Sequence, residues 1–482
     1  MKSRVELLIQ TGFYQLRSLP LARKRCINMY PQVSQDSTFS KISLLGCPGI
    51  AVFKDTGLDG VSRGKIVAGG VPYYVIGTNF VSLASDGTVT NHGTVTGTSN
   101  VSMSYNTKTI AIVVPDGNSY FFTVSGATFA QITDASFVAY GQVTTVNYKK
   151  GFFVFTTSTQ FFSSSHYDTN NGQNFDALDF DTEDNDTDNI TATFTSHDLL
   201  YVLGEETTAV FDNITTTLFP FNEIIGASLE VGCTARDSLI KFNEDFLFVG
   251  GGKNENPGVW RVTNSQANRI STDSIEHILT KVTAAQLAAT VADSYSIDGH
   301  VFAAFTVGPY TLEYDDTSSA VAGAPIWHER QSGFTNGETN NRWRGQHICK
   351  AYGKLLIGDA NSSSIGYLDM DTYTEFGSNI ERVIISQPID EKGSPIFQSK
   401  IEMFIESGVG NAASTDPVWL FSYSDDGKTW SNPIQRLMGK VGEYTKRLIW
   451  RRLGRFPAKR VLRWKTTDPV KIAIYKWVTE IG

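Results

Sequence analysis

Along this chain, runs of apolar and aromatic residues are broken six or seven times by a tight polar or glycine turn with a strand-like run on either side. The turns fall near Gly69, Asn106, Lys149, Asp198, Glu244, Asp298 and Gly353, a recurrence of roughly 40 to 55 residues. Clear copies span 104–114, 146–155, 194–202, 240–248 and 295–303. Asp-Gly pairs at 86–87, 116–117 and 298–299 supply the positive-φ residue that hairpin turns need. Hairpins repeating at this period predict a β-propeller of six or seven blades over 61–385, each blade about four strands, closed into a ring because no blade can bury its faces alone.

Outside that region the rhythm changes. Residues 1–60 lack it and read as an N-terminal strap that starts the fold and reaches another part of the chain or a partner. Beyond 386, alternating strands at 400–406, 418–424, 447–453, 460–465 and 470–478 predict a separate C-terminal β-sandwich over 386–482. One stretch near 274–291 carries a helical period behind a capping residue and reads as an insertion between two blades. The fold class is therefore all-β.

Composition adds three constraints. Cys26, Cys47, Cys233 and Cys349 are widely spaced with no CxxC pair, which signals neither a zinc site nor a disulfide framework. No signal peptide and no apolar run of transmembrane length is visible. The net charge of −8 hides an asymmetry: 436–476 holds 13 Lys and Arg against two acids, and the rest of the chain 28 against 47.

Candidate chemistry is sparse. The seven histidines never approach ligand spacing, and His197 and His300 fall at hairpin turns, where exposed polar residues are ordinary. No phosphate-binding, dinucleotide, nucleophile-elbow or HExxH motif occurs. The acidic run 176–188 lacks the glycine and closing glutamate of an EF-hand and reads as a solvated surface loop, with a bound cation as the other reading. Ser424 to Trp430 resembles an Asp-box hairpin, in which Asp caps the turn and Trp packs beneath; Tyr423 stands where the box has Ser or Thr. The expectation is no enzyme, no cofactor and no metal. What remains is the basic C-terminal segment. Alternation turns Leu448, Trp450, Val461 and Trp464 inward and leaves Arg451, Arg452, Arg455, Lys459, Arg460 and Arg463 as a cationic face, a candidate contact for DNA or an acidic partner.

Three blocks together resemble a known family. They are GFYQLRSLPLARKRCINMYP at 12–31 followed by Pro48, Gly49, Ile50 and GVSRG at 60–64; SIEHIL at 274–279 with 295–315; and LIWRRLGR at 448–455 with Asp468, Pro469 and Val470. They are similar to the packaged-DNA stabilisation proteins, or tail hubs, of short-tailed bacteriophages. The resemblance implies a homohexameric structural protein of the virion tail, assembled in the host cytoplasm. It would sit below the portal and its adaptor ring, extend the channel for double-stranded DNA and retain the packaged genome. It would also offer attachment to a tail needle or plug and to tailspikes or fibres. A carbohydrate- or receptor-binding propeller of a phage tail stays open as the alternative, on the aromatic richness.

Overall fold

The computed structural model describes residues 3–7, 12–15, 23–34, 40–182, 188–213, 219–390 and 393–482. Each tight turn joins two antiparallel strands through residues in the left-handed region, such as Gly69 and Gly70 (φ 58° and 80°), His197 and Asp198 (46° and 62°) and Asp298 and Gly299 (51° and 78°). Two successive positive-φ residues twist the hairpin in the same sense as its strands.

Seven sheets follow one another along the chain. The first four are Ser62–Ala68 through Val89–Thr94, Ser102–Tyr105 through Thr128–Gln131, Thr145–Lys149 through Phe180–Asp181, and Ile190–Ser196 through Phe221–Glu223. The fifth centres on Asp245–Gly251, the sixth runs from Val291–Ile297 to Trp327–Glu329, and the seventh from Gly345–Ala351 to Ser364–Asp369. An apolar core fills each gap between consecutive sheets. Ile110, Ile112 and Phe122 pack on Tyr73 and Phe80; Phe153 and Phe155 on Phe121; and Leu356 and Ile365 of the last sheet on Tyr74 and Val81 of the first. Ser62–Ala68 thus touches both the second and the seventh sheet, so the ring is closed.

Closure is completed by the N-terminal segment. Gly49–Asp55 is the fourth strand of the seventh sheet, antiparallel to Ser364–Asp369 with Ile50 opposite Leu368. The segment read as a strap is therefore woven into the fold: Arg23–Ile27 pairs with Arg382–Ile385 and meets Trp327–Glu329, and Ser3–Leu7 pairs with Ala473–Ile481.

The C-terminal unit is a β-sandwich. In one sheet Ile396–Ile405 lies between Leu448–Phe456 and Ala473–Ile481, continued by Ile42–Gly46 and Met29–Val33. In the other, Lys459–Thr466 lies between Val418–Ser424 and Arg382–Ile385. Between them Trp419, Phe421, Trp450, Trp464 and Trp477 form the core with Met29 and Leu44 from the N-terminal segment. The sandwich is thus not built from 386–482 alone, nor is it separate. Arg25 makes a paired contact with buried Glu329 (Nε to Oε1, 2.9 Å) and donates to the Gly337 carbonyl, and Asn28 donates to the carbonyls of Gln331 and Glu381 (2.8 Å each), welding sandwich to propeller.

The insertion consists of two short helices, Asp273–Leu279 and Ala284–Ala288, the second with a Thr283/Gln286 capping box. Two further helices, Ala135–Ala139 and Asp316–Ala322, escaped the sequence reading. They are capped by Asp134 and Asp315 and are too short to display a period. Among the described residues no helix is long and apolar enough to cross a membrane.

Candidate interaction surfaces

The six basic residues of the C-terminal segment fall on two consecutive strands, one in each sheet of the sandwich, and into two physical classes. Leu448–Phe456 ends its sheet, bonded on one side to Ile396–Ile405. Near a register shift between Gln398 and Lys400, Arg452 (φ 60°) and Gly454 (φ 76°) adopt left-handed backbone. Arg451, Arg452 and Arg455 are exposed there, and none has an ion-pair partner among the described residues. Phe397, opposite Arg455, is also exposed. Charges on a sheet edge discourage edge-to-edge pairing with other chains, and they also offer guanidinium groups to an anionic partner.

Arg460 corrects the expectation of a single cationic face. It is buried, its fork grips Asp425 (2.6 and 3.0 Å), it donates to the Leu453 carbonyl at 2.7 Å, and it lies between the rings of Tyr423 and Phe456 at 4.0 and 4.6 Å. The reason is local: alternation in Lys459–Thr466 points Arg460 at the hairpin that carries Asp425. In that hairpin Asp426 accepts from the backbone N–H groups of Lys428 and Thr429, both at 2.7 Å, which hold its carboxyl well below the usual carboxylate range. Arg463 stacks on Trp430 at 4.2 Å and pairs with Glu338 at 2.5 Å, and Lys459 is half-buried. Three of the six residues therefore remain available to a partner.

The propeller axis is a second place where polar groups converge. Its cavity, about 240 Å³, is lined by residues of all seven sheets, including Lys65, Met103, Asn147, Thr193, Ile240 and His347. Its charges are paired internally: Lys65 with Asp293 at 2.6 Å, and Arg236 with Asp237 at 2.7 Å. His347 donates its backbone N–H to Asp293 and its ring meets Ser62, and burial pushes its imidazole down to about 4. A larger cleft of about 1270 Å³ shares Asn100, Arg236 and Asp237 with it and is also bordered by Glu205, Glu206, Glu255 and residues of Ala284–Ala288.

A third cluster lies between sixth and seventh sheets. Buried Glu313 accepts from Tyr295 at 2.5 Å and His328 at 2.6 Å, with Arg330 3.8 Å away and stacked on Trp343. Burial alone would push His328 down; the Glu313 carboxylate outweighs it and holds the imidazolium up to about 10. Cys47, Glu313 and His328 lie within 4.8 Å of one another, a juxtaposition invisible in the sequence. His328 and Arg330 already supply the positive charge that a metal would bring, so the arrangement is that of an ion-pair network. His300, expected exposed, is buried against Asp315 at 2.9 Å. The acidic run is described at 176–182 and at 188; its centre, 183–187, lies outside the described residues.

Comparison with known proteins returns two family models in series: "Bacteriophage P22 Gp10, beta-propeller" over residues 5–373 and "Bacteriophage P22 Gp10, beta-sandwich" over 381–482. A curated relative, the tail hub protein gp10 of Salmonella phage P22, is 24% identical over 236 residues, 48% of this chain and 47% of that protein. The match thus spans about half the length of that relative. Among solved structures, the WD40 domain of Neurospora crassa Pan2 (10% identity, TM-score 0.41) covers 70% of this chain and 97% of its own. The WD40 propeller domain of Doa1 (9%, 0.38) covers 67% and 97%.

Proposed function

The chain belongs to the bacteriophage P22 Gp10 family, and from that membership we propose that it is a structural tail hub protein of a phage virion. Both family models matched in order, over a propeller and a sandwich that share strands, carry this reading. In the finer form of the proposal, copies form a hexamer below the portal and adaptor, surround the exiting DNA, retain the genome, and hold a needle or plug and the tailspikes. The physical argument is that retention under internal pressure needs a part that does not flex. Strand sharing between propeller and sandwich, with buried pairs such as Arg25 with Glu329, supports such a part. The available Arg451, Arg452 and Arg455 are the cationic contact we assign to the adaptor, a neighbouring copy or DNA phosphates.

Deletion of the gene in its phage tests the proposal. Heads should fill and then lose their DNA, and should be rescued by the protein supplied in trans. Stable, full particles that fail to adsorb would replace it with the receptor-binding reading.

A further inference from the structure

A crevice at the seam between the seventh propeller sheet and the sandwich ends on a buried charge without a partner. Arg382 begins Arg382–Ile385, its backbone fixed opposite Thr466, and the residue is fully buried. Its Nε and Nη1 are enclosed and bonded to nothing, and its side chain makes no hydrogen bond or ion pair among the described residues. The other arginines that are at most 3% exposed are compensated: Arg25 by Glu329, Arg330 by Glu313 and Glu375, and Arg460 by Asp425. The ionisable groups that Arg382 senses are Cys47, Arg330, Glu375 and Tyr373, and burial pushes its guanidinium down to about 10. An isolated buried cation is strongly disfavoured, and anions relieve that penalty.

The space beside it has the size for one. The crevice holds about 360 Å³, at the low end of small-ligand sites, and Arg382 is among its lining residues with Tyr373 and Tyr475. Gly46 leaves room for the guanidinium: a Cβ there would stand 3.1 Å from Nε. Asp298 and Asp371 also line the crevice, as does Glu406, which is tied to Lys471 at 2.9 Å. These carboxylates disfavour a polyanion such as DNA.

We propose that the Arg382 crevice, lined also by Tyr373 and Tyr475, is a binding site for one small oxyanion, a phosphate or a carboxylate, that compensates the guanidinium charge. The inference is independent of the tail hub reading.

Isothermal titration of the purified chain with inorganic phosphate, and separately with acetate, at fixed ionic strength is the direct test. One saturable site for either is expected, and the tighter of the two identifies the class. Arg382→Met should abolish that heat. It should also melt higher than the wild type in an anion-poor buffer, because an uncompensated charge has been removed, and lose the phosphate-dependent rise in melting temperature. Because phosphate raises the stability of most proteins, the difference between the two chains is the readout. No saturable site in the wild type, or equal phosphate dependence in Arg382→Met, would overturn the proposal; the wild-type titration decides even if the variant does not fold.

Discussion

Replacing Arg460 by Met removes a charge that the sandwich is built around, and the size of the effect follows from its contacts. The guanidinium holds Asp425 with two hydrogen bonds, satisfies the Leu453 carbonyl and lies between two rings. Breaking a buried pair costs about 3–5 kcal/mol. Asp425 is 34% exposed and can rehydrate, which places the loss at the lower end. The orphaned Leu453 carbonyl adds about 1 kcal/mol, partly offset because the methionine stem keeps the apolar packing. A loss of about 3 kcal/mol is expected, roughly a hundredfold in an opening equilibrium. A melting temperature of a chain with two units is not a two-state quantity, so native-state hydrogen exchange is the better assay. Amides of Val418–Ser424 and Lys459–Thr466 should exchange roughly a hundredfold faster, with those of the first propeller sheets unchanged. Adding Asp425→Asn should recover part of the loss, because it removes the stranded charge. Unchanged exchange in both strands would refute the reasoning that Arg460 is structural.

Three further outcomes follow from the same contacts. Charge reversal at Arg451, Arg452 and Arg455 should leave stability within about 0.5 kcal/mol of the wild type, since exposed charges contribute little; docking to the particle should weaken and do so further at raised salt, and unaltered assembly across a salt series would make these cations edge protection only. Stability should peak near pH 6.5 and fall on both sides. His328, raised to about 10, stabilises fully below its unfolded value and loses that contribution as pH climbs towards 10. His347, held down to about 4, disfavours the fold as pH drops from about 6.5 towards 4, because only the unfolded chain takes up the proton. Denaturant midpoints from pH 4.5 to 9 check this, and His328→Gln should flatten the alkaline arm alone. Finally, Ile50→Asp, at a fully buried position of the closing strand, should open the ring and drive the purified chain into aggregates visible by light scattering; a monodisperse variant would show that closure does not depend on that strand.

The sequence carried what is local. The Asp298–Gly299 turn could be read because its backbone demands a residue type, and the inward placement of Leu448, Trp450, Val461 and Trp464 could be read because strand side chains alternate. Ser424 to Trp430 announced a capped hairpin, and Asp426 caps it. What required the third dimension was pairing at long range. Gly49–Asp55 finds its partner more than three hundred residues away, so its strand period alone could not assign it to the last sheet. His300 sits at a turn, and only its approach to Asp315 explains why it is buried. Six cations in one segment looked equivalent, and the position of Asp425 on the facing hairpin separates Arg460 from Arg452. Arg382 gave no signal at all, because the absence of a partner is a property of its surroundings.

The axial cavity decides where DNA could pass if the tail hub reading holds. At about 240 Å³ it is smaller than a site for a drug-sized molecule, and Lys65 and Arg236, its cations, already face Asp293 and Asp237. A cavity of that volume does not hold a DNA duplex, so on the tail hub reading the expected route for DNA lies outside the propeller axis, between copies. Lys65→Met separates these cases. Asp293 would keep the backbone N–H groups of His347 and Ile348 (2.6 and 2.9 Å), so the chain should fold with a loss of about 1.5–3 kcal/mol. Particles carrying it should retain their genome as well as the wild type does, measured by nuclease-sensitive DNA released over time at 37 °C, a temperature chosen for the assay. Leakage from particles whose hub is folded and present at wild-type copy number would mean that the axis does touch the genome, and the route between copies would have to be abandoned.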